Sequence, residues 1–331
     1  MHISSEHLVS STIKPHSNEK NRFLEDVLAG LRSTPKQLQS KYFYDKTGDT
    51  LFQKIMDAEE YYVTRCEAEI FQTHGHAIAA ALKTDNQGLN LIELGAGDAS
   101  KTIYLLRELR RLECDFHYVP IDISSSIIQY LEHELPTTIP GLTVNGLNGE
   151  YLEMLLKASK ISARRNAVLF LGSNIGNMNT VEALEFLRKI RLCLNKGDKL
   201  LIGFDLKKDP AVVLNAYNDA SGFTRAFNLN LLSRINRELD GGFDINQFSH
   251  FPTYDPISGE CKSFLVSKQD QEVYISGEVF SLKKGEVIYM ELSQKYDFKQ
   301  IQELAHMSGF KTSFAFKDSK NWFVDVVWEC V

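Results

Sequence analysis

The stretch Leu91-Ile92-Glu93-Leu94-Gly95-Ala96-Gly97-Asp98, followed by Tyr118-Val119-Pro120-Ile121-Asp122-Ile123, decides how this chain of 331 residues is read. Leu91 to Leu94 is a short apolar strand, and Leu105, Leu106, Leu109 and Leu112 mark the helix after it. Gly95 and Gly97 therefore fall on the strand-to-helix turn. A Cβ there would hinder both the sharp turn and the close approach of a ligand, while the helix N-terminus offers unpaired N–H groups. An acidic residue ending the second strand accepts hydrogen bonds from both hydroxyls of a ribose, and Asp122 fits that role. The stretch reads as a nucleotide cradle.

The glycine pattern stops at Gly-x-Gly. Ala99 and Ser100 follow, so the third glycine of the dinucleotide fingerprint is missing and NAD is disfavoured. Glu93 and Lys101 make the loop resemble the Glu-x-Gly-x-Gly loop of S-adenosylmethionine-dependent methyltransferases. That ligand has no pyrophosphate but does have a carboxylate, which Lys101 is placed to pair. Taken alone, Gly-x-Gly after a strand fits a structural turn in an unrelated α/β protein equally well; Asp122 shifts the balance.

Composition narrows the classes. A net charge of −6 and a pI near 5.9 argue against a polyanionic partner, and Arg107, Arg110 and Arg111 read as the solvated face of an amphipathic helix. No nucleic-acid partner is expected. Cys66, Cys114, Cys193, Cys261 and Cys330 are odd in number and contain no Cys-x-x-Cys, so neither a disulfide framework nor a thiolate metal site is indicated. A reducing cytoplasm suits them. No run approaches the ~20 apolar residues of a membrane span, and the N-terminus lacks a signal-peptide core. His74 and His76 are two apart on a predicted helix, on different faces, so they read as surface histidines and no metal is expected. Residues before Asn21 are polar and mixed in charge, and read as a loosely ordered arm, 1–20.

From Leu91 the pattern alternates: strand 91–94, helix from 99, strand 117–122, helix 125–134, strand 142–147, helix 150–158, strand 167–171, helix 180–194, strand 199–205. Alternation of this kind predicts a parallel sheet. Val168 to Leu171 and Leu200 to Phe204 are apolar on both faces, as central strands covered by helices are. Their carboxyl ends, near Gly172 and Asp205, should open on the ligand crevice. After Asp205 the alternation breaks. Residues 208–294 give helices to about Glu238, a Gly241-Gly242 turn, and alternating antiparallel strands, an insertion with its own small sheet. Helix 298–308 and strands 311–316 and 322–329 then close the main sheet. Residues 24–66 carry helical signals and many aromatics, and would pack on the insertion as its other half.

Three further stretches make a family visible. They are Lys41-Tyr42-Phe43-Tyr44-Asp45 with Glu60-Tyr61-Tyr62-Val63-Thr64-Arg65, then Phe170-Leu171-Gly172-Ser173-Asn174-Ile175-Gly176-Asn177, then Phe227-Asn228-Leu229-Asn230 leading to Ile235-Asn236-Arg237-Glu238-Leu239. In this order around the Glu-x-Gly-x-Gly loop they resemble the histidine-specific Nα-methyltransferase of ergothioneine biosynthesis and its relatives, from about Asn21 to the C-terminus. The resemblance implies an α/β fold, a class I methyltransferase Rossmann-like sheet with an inserted α+β substrate-binding domain. Residues 21–66 plus 208–294 would form the substrate-binding domain, and 67–207 plus 295–331 the S-adenosylmethionine-binding domain.

The resemblance also implies roles. Gly95, Gly97, Lys101, Asp122, Gly172 and the pair Glu150-Tyr151 would hold the donor, with Glu150 and Tyr151 at the adenine, where the family more usually has Asp-Phe. Asn177 and Tyr217 would bind the substrate carboxylate, Tyr61 would lie near the amine, and Tyr44, Glu291 and Ser293 would face the imidazole. Tyr61 and Asn177 would stand at the reacting centre. Ser263 departs from the pattern, standing where the histidine enzyme has a Met. A relative in the family methylates a prenylated tryptophan, yet Glu291 and Ser293 favour imidazole over indole. Residue by residue, blander readings exist: interface tyrosines for Tyr44, Tyr61 and Tyr217, a turn residue for Asn177, an exposed strand residue facing Lys295 for Glu291. The expected activity is Nα-methylation of a free amino acid, most simply L-histidine, by a monomer that needs no membrane or nucleic acid. The alternatives are another amino acid or small amine, a non-catalytic donor-binding homologue, and, more remotely, a dinucleotide oxidoreductase.

Overall fold

A computed structural model describes residues 15–83 and 88–331, which divide into two compact units. The larger comprises 54–221, 252–262 and 292–331; the smaller comprises the described part of 1–53 with 222–251 and 263–291. Residues 54–66, 208–221, 252–262 and 292–294, grouped above with the substrate-binding segments, fall in the larger unit.

The larger unit is built on one sheet. Its strands are β1 (Leu89–Leu94), β2 (Phe116–Asp122), β3 in two pieces (Thr143–Val144 and Leu147–Asn148), β4 (Arg165–Phe170), β5 (Lys199–Asp205), β6 (Phe310–Lys317) and β7 (Phe323–Cys330). They lie in the order 3-2-1-4-5-7-6. β1 to β5 are parallel, while β7 runs antiparallel to β5 and β6 antiparallel to β7. This is the class I methyltransferase sheet. The strand expected over 142–147 is the one that breaks: Asn145 N–H turns to Tyr118 O, and Gly146 N–H to the carboxylate of Glu132, which splits it in two.

The strands are apolar because both faces are covered. All six residues of β1 are buried. Alternate side chains then feed alternate layers. Leu89, Leu91, Tyr118, Leu169 and Leu201 pack with Ile70, Phe71 and Ile78 of helix Val63–Leu82 and Leu105, Leu106 and Leu109 of helix Thr102–Arg111. Ile92, Leu94, Val119, Val168 and Phe170 pack on the other face with helices Tyr151–Ala158, Thr180–Leu192 and Phe298–Met307. The last two helices start on capping boxes, Asn179 with Glu182 and Asp297 with Gln300, which satisfy the N–H groups a helix start leaves open. Strand order reverses between β1 and β4, so the loops after them, at Gly95 and Gly172, border the crevice where such sheets bind ligands.

In the smaller unit the motif Lys41 to Asp45 packs on helix Phe223–Leu239. The Phe43 and Phe227 rings meet at 4.8 Å, and Arg234 stacks over Phe23 at 4.9 Å. Asp45 accepts from Gly48 N–H (2.7 Å), Asn230 (2.8 Å) and Arg237 (2.6 Å), which holds its carboxyl below the usual range although burial alone would raise it. Lys36 and Gln37 add a short strand, parallel to Ile288 and Tyr289. Strands Gln271–Ile275 and Glu278–Leu282 form an antiparallel ribbon whose turn, Ser276-Gly277, has positive φ at both residues, the primed geometry that suits strand twist. The arm expected over 1–20 lies outside the described residues up to 14; its last six residues instead begin helix Pro15–Arg32.

Candidate active site

The Gly95–Gly97 loop is built for a close approach. Gly95 and Gly97 have φ of 72° and 51°, and Ala99 also sits at positive φ, 54°. Gly95 and Ala96 N–H both donate to Ile121 O, which seats the loop on the end of β2. A Cβ on Gly95 would lie 2.6 Å from the Tyr151 hydroxyl. One on Gly97 would meet nothing within 4 Å, so there the requirement is the backbone angle, and the space beside it is open to a ligand.

Asp122 ends β2, half-buried, with Oδ2 accepting from Gly97 N–H at 3.3 Å and Oδ1 from Ser124 N–H at 2.9 Å. An ionised carboxylate has about four acceptor sites, so capacity remains for two ribose hydroxyls. Tyr151 stands edge-on to Phe170, centroids 6.0 Å apart, and burial, then the charges of Asp122 and Glu150, push its hydroxyl up to about 12. Glu150 is exposed just before the helix that Tyr151 begins. Gly95, Asp122, Glu150 and Tyr151 are thus gathered at one end of the sheet, and the open space at Gly97, the acid and the ring suit an adenosine.

Lys101 has a partner within the protein. Its ammonium pairs with Glu67, whose two oxygens also accept from Gly172 N–H at 2.8 and 3.0 Å. Glu67 is fully buried and needs a cation, which Lys101, only 21 % exposed, supplies. Burial works against the charge on Lys101, but attraction to Glu67 outweighs it and raises its pKa. Asp325 on β7 is buried beside them with neither oxygen hydrogen-bonded, and burial together with Glu67 keeps its carboxyl protonated well above the usual range. Gly203, opposite Asp325 on β5, makes room for the two acids: a Cβ there would lie 2.4 Å from Glu67 Oε1 and 3.0 Å from Asp325 Oδ1. Glu67 therefore ties the helix after the glycine loop to the loop after β4.

Glu93 turns inward rather than toward a ligand. Thr102 Oγ1 donates to it at 2.7 Å, as does the Tyr118 hydroxyl, so it anchors the start of helix Thr102–Arg111 to β2. Burial pushes its carboxyl up to about 7, against the lowering effect of those hydrogen bonds. A raised acid favours the folded state below its unfolded value of 4.5, and that contribution is lost as pH rises to about 7. The difference is worth roughly 3 kcal/mol. Glu93→Gln should therefore be relatively more stable than wild type at pH 8 than at pH 5. Parallel melting temperatures across that range would show that Glu93 titrates normally.

A second gathering of expected residues lies around Lys295. The Tyr217 hydroxyl and Ser293 Oγ are 2.6 Å apart, and Lys295 Nζ is 2.8 Å from each. Tyr61 meets the Tyr217 ring edge-on at 6.2 Å. Lys295 is fully buried and lies 2.7 Å from Asp205 Oδ2 at the end of β5. Asp205 also pairs with Lys208 and accepts from the Tyr62 hydroxyl at 2.9 and 3.0 Å. Burial alone would raise the carboxyl of Asp205, yet the two ammonium groups hold it below its usual range. Burial depresses Lys208, whereas Lys295 stays raised because Asp205 overcomes the same burial. Two cations sharing one carboxylate leave an excess of positive charge, which suits an anionic ligand group.

Asn177 closes the short turn Asn174–Asn177 after β4 and is exposed. In the smaller unit, Tyr44 is 41 % exposed with its ring edge-on to Phe52 and Phe227, and Glu291 is half-buried on strand Val287–Gln294, two residues before Ser293. Ser263 is buried and lies 3.3 Å from His250 Nε2. Glu67, Asp205, Lys208, Lys295 and Asp325 were missed by sequence reasoning; the available signal was an acid inside or ending an apolar strand, as with Asp205 after Leu200 to Phe204 and Asp325 between Val324 and Val326.

Comparison with known proteins identifies the family. The family model described as "Histidine-specific methyltransferase, SAM-dependent" matches residues 23–330. Histidine N-alpha-methyltransferase of Mycolicibacterium smegmatis is 36% identical over 274 residues, 82% of this chain and 83% of that protein. Its namesake in Mycobacterium tuberculosis is 34% identical over the same shares, 82% and 83%. Ergothioneine biosynthesis protein 1 of Schizosaccharomyces pombe is 30% identical, covering 83% of this chain and 36% of that longer protein. With the class I sheet and a family match from Phe23 to Cys330, this chain belongs to the histidine-specific, S-adenosylmethionine-dependent methyltransferases.

Proposed function

We propose that this enzyme methylates the α-amino nitrogen of free L-histidine, three times in succession, to give the trimethylated betaine. The observation that carries this reading is the convergence of Tyr61, Tyr217 and Ser293 around a buried excess of positive charge at Lys295 and Lys208, a setting for an amino-acid carboxylate. S-adenosylmethionine supplies the methyl group on a sulfonium. Displacement at that carbon is in-line, so the chain's task is alignment and exclusion of water, with no covalent nucleophile. Tyr217 and Asn177 hold the carboxylate, Tyr61 orients the amine, and Tyr44, Glu291 and Ser293 read the ring. Gly95, Gly97, Asp122, Glu150, Tyr151 and Gly172 hold the donor, with Lys101 acting through Glu67. The segments 21–66 and 208–294 serve the acceptor. The enzyme works as a monomer in the cytoplasm, where five cysteines outside any disulfide are at home.

Mass spectrometry after incubation with S-adenosylmethionine and a mixture of common amino acids tests this reading: histidine should gain three methyl groups. Asn177→Ala and Tyr217→Phe should each raise the acceptor KM about tenfold, the worth of one hydrogen bond to a charged group, and leave donor affinity unchanged. A parallel loss of donor binding would move these residues to the other site. One observation favours a second reading. Ser263, buried against His250 where the histidine enzyme has a Met, puts a polar pair in place of a thioether. A different amino acid gaining methyl groups in the same experiment would select that reading.

A further inference from the structure

Gly172 opens a tight reversal of the chain. Gly172 and Ser173 both have positive φ, 74° and 56°, and Asn174 N–H closes the turn on Leu171 O at 3.4 Å, the pattern of a type I′ turn. A serine keeps such an angle only where its surroundings fix it. Ser173 is buried and its Oγ accepts from Asp205 N–H at 3.2 Å, while both oxygens of Glu67 hold Gly172 N–H. The reversal sets Asn174 beside the glycine loop. Its Nδ2 lies 3.6 Å from the position a Cβ would take on Gly95, and 3.6 Å from the corresponding position on Gly172. The amide thus stands between the two glycines that border the crevice.

Lys101 faces the same space, its Nζ 3.7 Å from the Cβ position of Gly172. An ammonium has three N–H donors, of which one goes to Glu67, and an amide has two. N–H groups converging from two side chains suit an anion. S-adenosylmethionine carries a single anionic group, the carboxylate of its amino-acid arm. We propose, on the reading that Gly95 and Gly172 border the donor, that Asn174 binds this carboxylate over Gly172, beside the Lys101 that Glu67 holds. Because Glu67 offsets much of the charge of Lys101, the ammonium alone holds an anion weakly, and the amide supplies the second contact. Glycine at 172 fits this use. A Cβ there would meet no atom closer than 3.6 Å, so beyond its backbone angle what the glycine preserves is room. Anchoring the carboxylate fixes the arm that ends on the sulfonium, and so the line along which the methyl leaves.

Two ligands separate this role from a structural one. S-adenosylhomocysteine carries the carboxylate, and S-adenosyl-3-thiopropylamine is the same molecule with hydrogen in its place. Asn174→Ala should weaken S-adenosylhomocysteine about tenfold, one hydrogen bond to a charged group, and Asn174→Asp, which sets a like charge against the carboxylate, about 100-fold. Affinity of either variant for the thiopropylamine should fall by no more than about twofold, well under one such bond. Calorimetry on the folded variants gives both comparisons. Unchanged affinity for S-adenosylhomocysteine overturns the assignment, and so does an equal fall for the two ligands, the mark of a disturbed crevice. Asp122→Ala tests the level beneath, because it should weaken both ligands alike. If it weakens neither, the donor lies elsewhere and the placement at Gly95 and Gly172 fails; if it weakens both while the Asn174 variants change nothing, the cradle stands and only the carboxylate assignment falls.

Discussion

Asp122→Ala is expected to weaken donor binding by about 100-fold or more. Hydrogen bonds to a charged group contribute ~1.5–3 kcal/mol each, and the carboxylate at the end of β2 has acceptor capacity for two ribose hydroxyls beyond its existing bonds. Two such bonds lost together set the lower bound. The existing bonds add to it, because Oδ2 holds Gly97 N–H and Oδ1 holds Ser124 N–H. Removing the acid therefore also loosens the glycine loop that must lie flat against the ligand. The fold should survive, since Asp122 is half-buried at a strand end and both backbone groups can turn to water. Calorimetry with S-adenosylhomocysteine on the folded variant is the measurement, and unchanged affinity would remove Asp122 from the ribose.

The sheet was legible in the sequence because its order leaves every central strand covered on two sides, and covered strands are written as continuous apolar runs. β1, β4 and β5 declared themselves in this way, and the glycine loop did so because positive φ at two positions so close together admits few residues. The motif from Lys41 to Asp45 was legible as a pattern, but its partner was not: Asp45 reaches Asn230 and Arg237, nearly two hundred residues on. The buried charges were hidden for the same reason. Gly172 finds Glu67 across 105 positions, and Tyr62 finds Asp205 across 143. A carboxylate is read as solvated unless its partners are known, and here they are brought in by the fold. Lys101 shows the cost. Sequence proximity to the glycine loop pointed it at the ligand carboxylate, and its pairing with Glu67, 34 positions away, gave no sign in the sequence. The two-residue strand Lys36–Gln37 carries too little pattern to be recognised by any periodicity.

Glu291→Ala is expected to change what the enzyme accepts more than how well it folds. Glu291 is half-buried near the end of strand Val287–Gln294, two residues from Ser293 and so on the same face of the strand. Our hypothesis is that its carboxylate accepts a ring N–H of histidine while the Ser293 hydroxyl, able to donate or accept, meets the other ring nitrogen. A site built to hydrogen-bond a polar group rejects analogues without it by up to ~10⁴-fold, because its own buried polar atoms are then unpaired. Wild type should accordingly prefer histidine far above phenylalanine, leucine or tryptophan. Alanine removes the attraction and the penalty together. Histidine turnover should fall steeply, by two orders of magnitude or more at about 3 kcal/mol for a charge-assisted bond, while turnover of an aromatic amino acid stays level or rises. That divergence separates recognition from damage, since a misfolded variant would lose both. Ser263 bears on the outcome through size: if its small side chain, where the family resemblance would place a Met, leaves room for a larger ring, phenylalanine or tryptophan would exploit it in the variant first. If wild type already methylates tryptophan better than histidine under matched conditions, the ring-reading role of Glu291 fails, and only the amino-acid methyltransferase reading remains.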